Sequence, residues 1–184
     1  MILAEALETR RLILRSLKTE DVTSTYLSWL RNPKIVRYLE IRFFGVKDLQ
    51  ELQSFIVSIN ESPVNLMAGI FTKSDGKHIG NVKLGPIFWP HLRAAVGYLI
   101  GEQIYWGQGY ATEAITELCR YGMQDLGLVK ITAGCYESNS GSARALLKSG
   151  FVHEATIPSD VAFDGRREGS LIFGLNSKDL VNGS

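Results

Sequence analysis

The apolar run Leu12-Ile-Leu14, set between Arg11 and Arg15, predicts a first strand over 11–16. Thr19-Glu-Asp follows as a helix-start signal with acids in the first turn. Val22, Tyr26, Trp29 and Leu30 then share one face of a helix over 22–30. Asn32-Pro33 opens a second, short helix carrying Ile35, Val36 and Leu39. A third helix over 47–60 repeats Leu49, Leu52, Phe55, Ile56 and Ile59 at helical spacing. The period then changes. Residues 65–73 form a β-rich run, Ser74-Asp-Gly-Lys77 a hairpin turn, and 78–88 a strand. Trp89-Pro-His91 turns the chain into a further strand over 93–100, completing an antiparallel meander.

A glycine-rich loop comes next, then a strong helix over 110–126 with Ala114, Leu118, Tyr121 and Gly122 along one side. Residues 129–136 read as a buried strand, and 140–149 as a helix closed by Gly150. Strands over 151–157 and 168–175 flank a turn at Phe163-Asp-Gly165. Helices early, a meander, then a mixed tail make an α+β domain, not a doubly wound sheet. With no internal repeat or low-complexity linker, residues 1–184 read as one domain.

Composition narrows the class without naming the chemistry. Apolar content of 45%, charged content of 21% and a net charge of +1 are those of an ordinary globular protein. Neither a nucleic acid nor a membrane is expected as partner. Cys119 and Cys135 lack any Cys-x-x-Cys or Cys/His spacing, so they read as buried free thiols and no metal is expected. The N-terminal stretch is too short and acidic for a signal peptide, and no run approaches the roughly 20 apolar residues of a membrane span. The cytoplasm is the expected location.

The chemistry concentrates between Gly97 and Ala114. A strand ends, Gly101, Gly107 and Gly109 follow, and a helix begins at once. Such a loop converges backbone N–H groups at a helix N-terminus, where the macrodipole also favours an anion. Glycine matters because a side chain would block the phosphate. No Gly-Lys-Ser/Thr is present, which excludes a nucleoside-triphosphate loop. A third glycine and an acidic partner are missing for a dinucleotide fold.

Trp106-Gly-Gln-Gly-Tyr-Ala111 resembles the acyl-CoA loop of the GNAT superfamily of N-acetyltransferases, Gln/Arg-x-x-Gly-x-Gly/Ala, matching at Gly109 and Ala111 with Trp106 in the first place. The opening Glu8-Thr-Arg-Arg-Leu-Ile-Leu-Arg15, Asn139-x-x-Ser142 with Lys148-Ser-Gly-Phe151, and Asp164-Gly-Arg-Arg-Glu168 are similar to the branch of the ribosomal-protein N-terminal acetyltransferases. The resemblance covers nearly the whole chain. It implies a mixed, mainly antiparallel central sheet flanked by helices and splayed between its fourth and fifth strands. It also implies acetyl-CoA as acetyl donor, with the pyrophosphate on the loop from Trp106, Gly107 and Gln108 through Gly109, Tyr110 and Ala111 to Thr112. The pantetheine arm would run along Tyr98, Leu99 and Ile100, with Asn139 bonded to it and Lys148, or Arg144, meeting a CoA phosphate. Homodimers are common in such a family.

For catalysis the resemblance offers Ser142 beside the departing thiolate. The tyrosine acid frequent in the superfamily falls at Leu146, leaving Tyr136 as a substitute. The carboxylate base of this branch falls at Ala95, so a water chain, Glu40, His91 or Glu102 must take the amine's proton. The acceptor is a small-molecule or peptide amine: an amino sugar, nucleotide sugar, peptide N-terminus, polyamine or antibiotic. Arg37, Tyr38, Glu40 and Arg42, within the segment 32–44, are expected to form one wall of its site, and Trp89 to border it. Two arginines near one carboxylate suit a phosphate-bearing acceptor whose ammonium meets Glu40. A non-catalytic acyl-CoA-binding domain is the alternative, favoured by Ala95 and Leu146.

Overall fold

A computed structural model describes residues 1–180. One sheet holds eight strands: β1 (Leu7–Glu8), β2 (Leu12–Ser16), β3 (Leu66–Thr72), β4 (His78–Leu84), β5 (Arg93–Ile100), β6 (Lys130–Tyr136), β7 (Val152–Phe163) and β8 (Arg166–Asn176). Their spatial order is β1-β2-β3-β4-β5-β6-β8-β7. Every neighbouring pair is antiparallel except β5 with β6. That parallel step needs a long crossover, and the helix α5 (Tyr110–Gln124) supplies it.

Helices α1 (Ser24–Arg31) and α4 (Leu49–Glu61) cover one face of the sheet; α5 and α6 (Ser140–Lys148) cover the other. All seven residues of β3 are therefore buried. Leu66, Ala68 and Ile70 pack with Ala114, Ile115 and Leu118 of α5. Met67 and Phe71 join Tyr26, Trp29, Leu52 and Ile56 beneath α1 and α4.

Local chemistry fixes the helix starts. Thr23 accepts from Tyr26 N at 3.2 Å, and Asp48 accepts from Glu51 N at 2.9 Å. Asn32 accepts from Lys34 N, with Pro33 in the first turn of α2 (Pro33–Val36). The expected helix start at Thr19 is instead a single 3-10 turn over Thr19–Asp21. Asp21 is held there by Arg15 at 2.6 and 2.7 Å and by the Lys18 amide.

Other differences are also local. The strand expected over 78–88 stops at Leu84, since Pro86 has no N–H to extend a ladder. The terminal strands run further than expected, to a hairpin turn whose Asp164 and Gly165 both take positive φ, 48° and 77°. Three short elements carry too little periodicity to be read from the chain: β1, α3 (Ile41–Phe44) and α7 (Ser177–Leu180).

The sheet opens at one place. β5 and β6 are in register at Arg93–Lys130, Ala94–Ile131 and Ala95–Thr132, and at no pair beyond. Counted from the strand over 12–16, these are the fourth and fifth strands. Both cysteines are free and buried. Among the described residues no helix is long and apolar enough to cross a membrane, and no His/Cys/Asp/Glu group is placed to hold a metal.

Leu118 is fully buried at the centre of α5. Leu118→Ala should destabilise the domain by about 2–5 kcal/mol. In thermal denaturation that corresponds to a Tm lower by roughly 5–15 °C; an unchanged Tm would mean α5 is not packed as described.

Candidate active site

Where β5 and β6 part, a cleft of about 1050 Å³ passes into the sheet. Its walls are Val96–Ile100 of β5, Gly134–Tyr136 of β6, the start of α5, the Asn139–Lys148 side of α6, and Lys34–Glu40. One end is a cradle of amides. Gly109, at φ 83°, caps α5, and Glu113 is the first residue whose N–H closes an intrahelical bond, onto the Gly109 carbonyl. The N–H groups of Tyr110, Ala111 and Thr112 thus have no helical acceptor and point out of the N-terminus. Gly107, at φ 72°, has nothing within 4 Å of where a Cβ would stand. These open positions and orphan donors fit a phosphate ester.

The loop is braced from outside the cleft. Glu113 accepts from Arg11 Nε and Arg11 N, both at 2.7 Å, and from Thr9 Oγ1 at 2.5 Å. Burial pushes the Glu113 carboxyl up, but these hydrogen bonds outweigh it and hold the group below its ordinary range. Arg11 also donates to the Gln108 carbonyl and lies over the Tyr110 ring at 4.0 Å. Gln108 turns its side chain back to the Ile104 carbonyl and does not line the cleft. Trp106, expected on the pyrophosphate, donates Nε1–H to the Ile100 carbonyl at 2.7 Å and closes the loop against the strand edge.

The open edge of β5 offers alternate residues only. Gly101 N donates to Ile79 O and Gly85 N to Ala95 O, so odd-numbered residues from 95 to 101 turn their backbone groups toward β4. Val96, Tyr98 and Ile100 turn theirs toward the cleft. Leu99 lines the cleft with its side chain, while its amide belongs to β4.

Ser142 sits beneath this edge, its hydroxyl 2.6 Å from Tyr98 Oη. Burial pushes the Tyr98 phenol up to about 12. Asn139 caps α6 through Oδ1, which accepts from Ser142 N at 3.2 Å, leaving its Nδ2 for a ligand. Cys135 lines the same spot, its thiol pushed up by burial. Leu146, at the position of the frequent tyrosine acid, is fully buried in the core. Lys148 and Arg144 both line the cleft from α6.

At the other end, Tyr136 Oη donates to Glu40 at 2.9 Å and accepts from Arg42 Nη2 at 2.9 Å. Burial, then the bond to Glu40, pushes the phenol up and keeps it protonated. Tyr38 stacks on Phe163 at 5.0 Å, and Arg37 pairs with Asp164 at 2.7 Å. The structure thus brings Arg37, Tyr38 and Glu40 to the cleft, with Arg42 one hydrogen bond behind them.

It does not bring Trp89. That residue lies where β5 begins, beyond the paired end of β5 and β6, with Nε1–H on the Pro63 carbonyl. His91 sits in the same turn, so neither reaches the cleft. Glu102 is engaged by Trp29 Nε1 and Lys77 Nζ, each at 3.1 Å, and is not a free base. Asp160 lines the cleft unforeseen: the register shift in β7 between Ile157 and Val161, with Ser159 at φ 53°, has no signature in the pattern of side chains.

The sequence profile of the GNAT acetyltransferase domain matches residues 11–152. The chain belongs to this family. The N-acetyltransferase p20 of Bacillus licheniformis, itself uncharacterized, is 29% identical over 96% of this chain and 99% of that protein. YoaA of Bacillus subtilis, another uncharacterized N-acetyltransferase, is 29% identical over 82% and 85%. The Vibrio cholerae spermidine N-acetyltransferase, solved with CoA and spermine, superposes with a TM-score of 0.82 at 20% identity, covering 95% and 100%. The protein is therefore an acyltransferase of the acetyl-CoA-dependent type.

Gly109→Val should abolish acetyl-CoA binding in calorimetry. A β-branched residue at φ 83° costs about 1–3 kcal/mol of strain, and its Cβ would stand 3.5 Å from Arg11 Nη2, so the added methyls crowd the guanidinium that braces the loop. Unchanged affinity would remove the loop from the site. Trp29 gives a subtler test, because a Cβ on Gly101 would fall inside its ring and its indole N–H holds Glu102, just before the loop. Trp29→Phe keeps an aromatic ring and removes one of the two donors on Glu102, leaving Lys77. The KM for acetyl-CoA should rise about ten-fold or more, since a hydrogen bond to a charged group contributes roughly 1.5–3 kcal/mol; an unchanged KM would show that Glu102 does not set the loop.

Proposed function

We propose that this protein transfers the acetyl group of acetyl-CoA directly to a primary amine inside the β5–β6 cleft. The observation that carries the reading is one continuous cavity joining the α5 amide cradle, the open β5 edge and the Glu40–Tyr136 pair. The amides of Tyr110, Ala111 and Thr112 hold the pyrophosphate, Lys148 and Arg144 meet the outer phosphate, and Asn139 Nδ2 bonds the pantetheine arm. The thioester carbonyl takes a hydrogen bond from the Tyr98 or Ile100 amide, which is fixed before the reaction and needs no reorientation. The acceptor enters between the 34–40 segment and β6, its ammonium drawn to Glu40 and Asp160.

Reaction requires that the ammonium first lose a proton. Glu40 is the carboxylate nearest the Tyr136 hydroxyl and takes that proton directly or through it. The neutral nitrogen then attacks the carbonyl carbon, the C–N bond forms, and as the C–S bond breaks the nitrogen's second proton passes to solvent water. The departing sulfur carries the electron pair. A thiol ionises near 8.5, so a phenol at about 12 would transfer its proton to the thiolate uphill by roughly 3–4 units. Ser142, oriented by Tyr98, therefore acts as a hydrogen-bond donor to the sulfur rather than as an acid that fully protonates it. When Tyr98 donates to Ser142, the seryl proton is left to point at the sulfur.

The acceptor class follows less from the loop than from the walls. The motifs around Trp106, Asn139 and Asp164 support the branch of the ribosomal-protein N-terminal acetyltransferases. The free carboxylates of the cleft support a cationic acceptor of small size or a peptide N-terminus. Thiol release from acetyl-CoA, followed across a panel of peptides, amino sugars and polyamines, tests the reaction itself. With the best acceptor, Ser142→Ala should lower kcat about ten-fold with the KM for acetyl-CoA little changed, as for a group acting in the transition state. Glu40→Gln should lower kcat/KM for the acceptor while leaving acetyl-CoA affinity as it was. Wild-type constants in both variants would sink these assignments.

A further inference from the structure

A second cavity, of about 570 Å³, lies behind the Tyr136–Arg42 contact. Its apolar lining includes Leu30, Pro33, Val36, Ile41 and Phe43, and the β7–β8 turn closes it from the other side. Phe43, one of these lining residues, is 58% exposed. That volume is within the range of small-molecule sites, and its lining is apolar with a few polar groups converging on it.

Those polar groups are nearly all cationic. Arg31, Arg37 and Arg42 line the cavity, against one carboxylate, Asp164. Arg31 spends its donors on the Val46 and Lys47 carbonyls. Arg42 spends its own on the Arg37 and Ala162 carbonyls and on Tyr136 Oη. Among the described residues neither has a carboxylate within ion-pair distance. The third, Arg37, pairs with Asp164 in the open, both side chains at least half exposed, and such a pair contributes little and is readily exchanged. Neutral carbonyls orient a guanidinium without cancelling its charge. Two guanidinium groups fixed by carbonyls and a third in an exchangeable pair, set around an apolar chamber, form a receptor for a carboxylate or phosphate.

We propose that this chamber is a second binding site, which takes a small carboxylate or phosphate carried on an apolar body. The site does not depend on how the amine is activated in the neighbouring cleft. It meets that cleft through Arg37, which lines both, so an acceptor long enough to span them would place its anionic tail here and its amine at Glu40.

The probe is 8-anilinonaphthalene-1-sulfonate, an aromatic anion that fluoresces in apolar surroundings, titrated into the protein saturated with CoA. Saturable binding is expected, displaced by phenyl phosphate at least ten-fold more effectively than by benzyl alcohol. Arg31→Gln should weaken the probe about ten-fold. Val36→Phe, which adds bulk at a buried lining residue and touches no charge, should weaken it comparably, and retained CoA binding would show both variants folded. Absence of saturable binding, equal displacement by the neutral alcohol, or wild-type affinity in both variants overturns the proposal. Thiol release with phenyl phosphate present then separates the sources of the anion. Competition with the acceptor assigns the site to the acceptor's tail; binding without competition assigns it to an independent ligand.

Discussion

Everything at this site follows from a strand edge that is left unpaired without fraying. Backbone N–H and C=O groups in a folded interior must find partners, yet β5 past Ala95 has none on the β6 side. The edge stays straight because each strand is held by its outer neighbour. β4 pairs with β5 up to Ile100, and β8 pairs with β6 up to Tyr136. The walls of the cleft are thus as rigid as the sheet, and only the seam between them is open. Tyr98 with Ser142, and Trp106 on the Ile100 carbonyl, occupy part of that seam. What remains is a set of donors already aimed into a chamber.

The two ends of the seam differ in charge. At the α5 end the protein presents amides at a helix N-terminus, with Lys148 and Arg144 nearby. At the Tyr136 end it presents Glu40 and Asp160. An anion is favoured at the first, whereas at the second the carboxylates stand beside Lys34 and Arg37 of the same wall, so the charge there is mixed. Arg11 stays out of this division. Its charge is matched by Glu113, and it serves to tie the N-terminal strand to the loop.

How much of this could be read along the chain depends on whether a feature is periodic or relational. The helices and the meander were legible because burial on two faces imposes a period, and the loop because glycine is needed at positive φ. The charges of the segment 32–44 mark it as a wall, and of that segment residues between 34 and 40 line the cleft. Trp89 was misplaced, since an exposed aromatic in a turn looks the same at either end of a strand. Leu99, expected along the pantetheine arm, gives its amide to β4, because the parity of hydrogen bonding is set by the partner's register and not by the strand's own residues. Asp160 and the engagement of Glu102 by Trp29 each depend on residues far apart in sequence. No spacing rule encodes such contacts.

Leu146 bears on the chemistry in a way that the motif alone does not. A leucine where the resemblance places a phenol looks like a loss of function. Position 146 follows Ser142 by one helical turn on the same stripe of α6, and that stripe runs from the cleft into the core, where Leu146 is fully buried. A phenol there would have to bury its hydroxyl or disturb Phe151 and Leu118, which belong to the same cluster. Tyr98 instead brings a phenol to the neighbouring point of that stripe from the strand below, and Ser142 relays its hydrogen bond into the cleft. The hydroxyl donor is retained while its source moves from helix to sheet. A donor built on the strand is held by the same register that fixes the amides beside it, so Tyr98 Oη and the β5 amides that face the cleft share one rigid element.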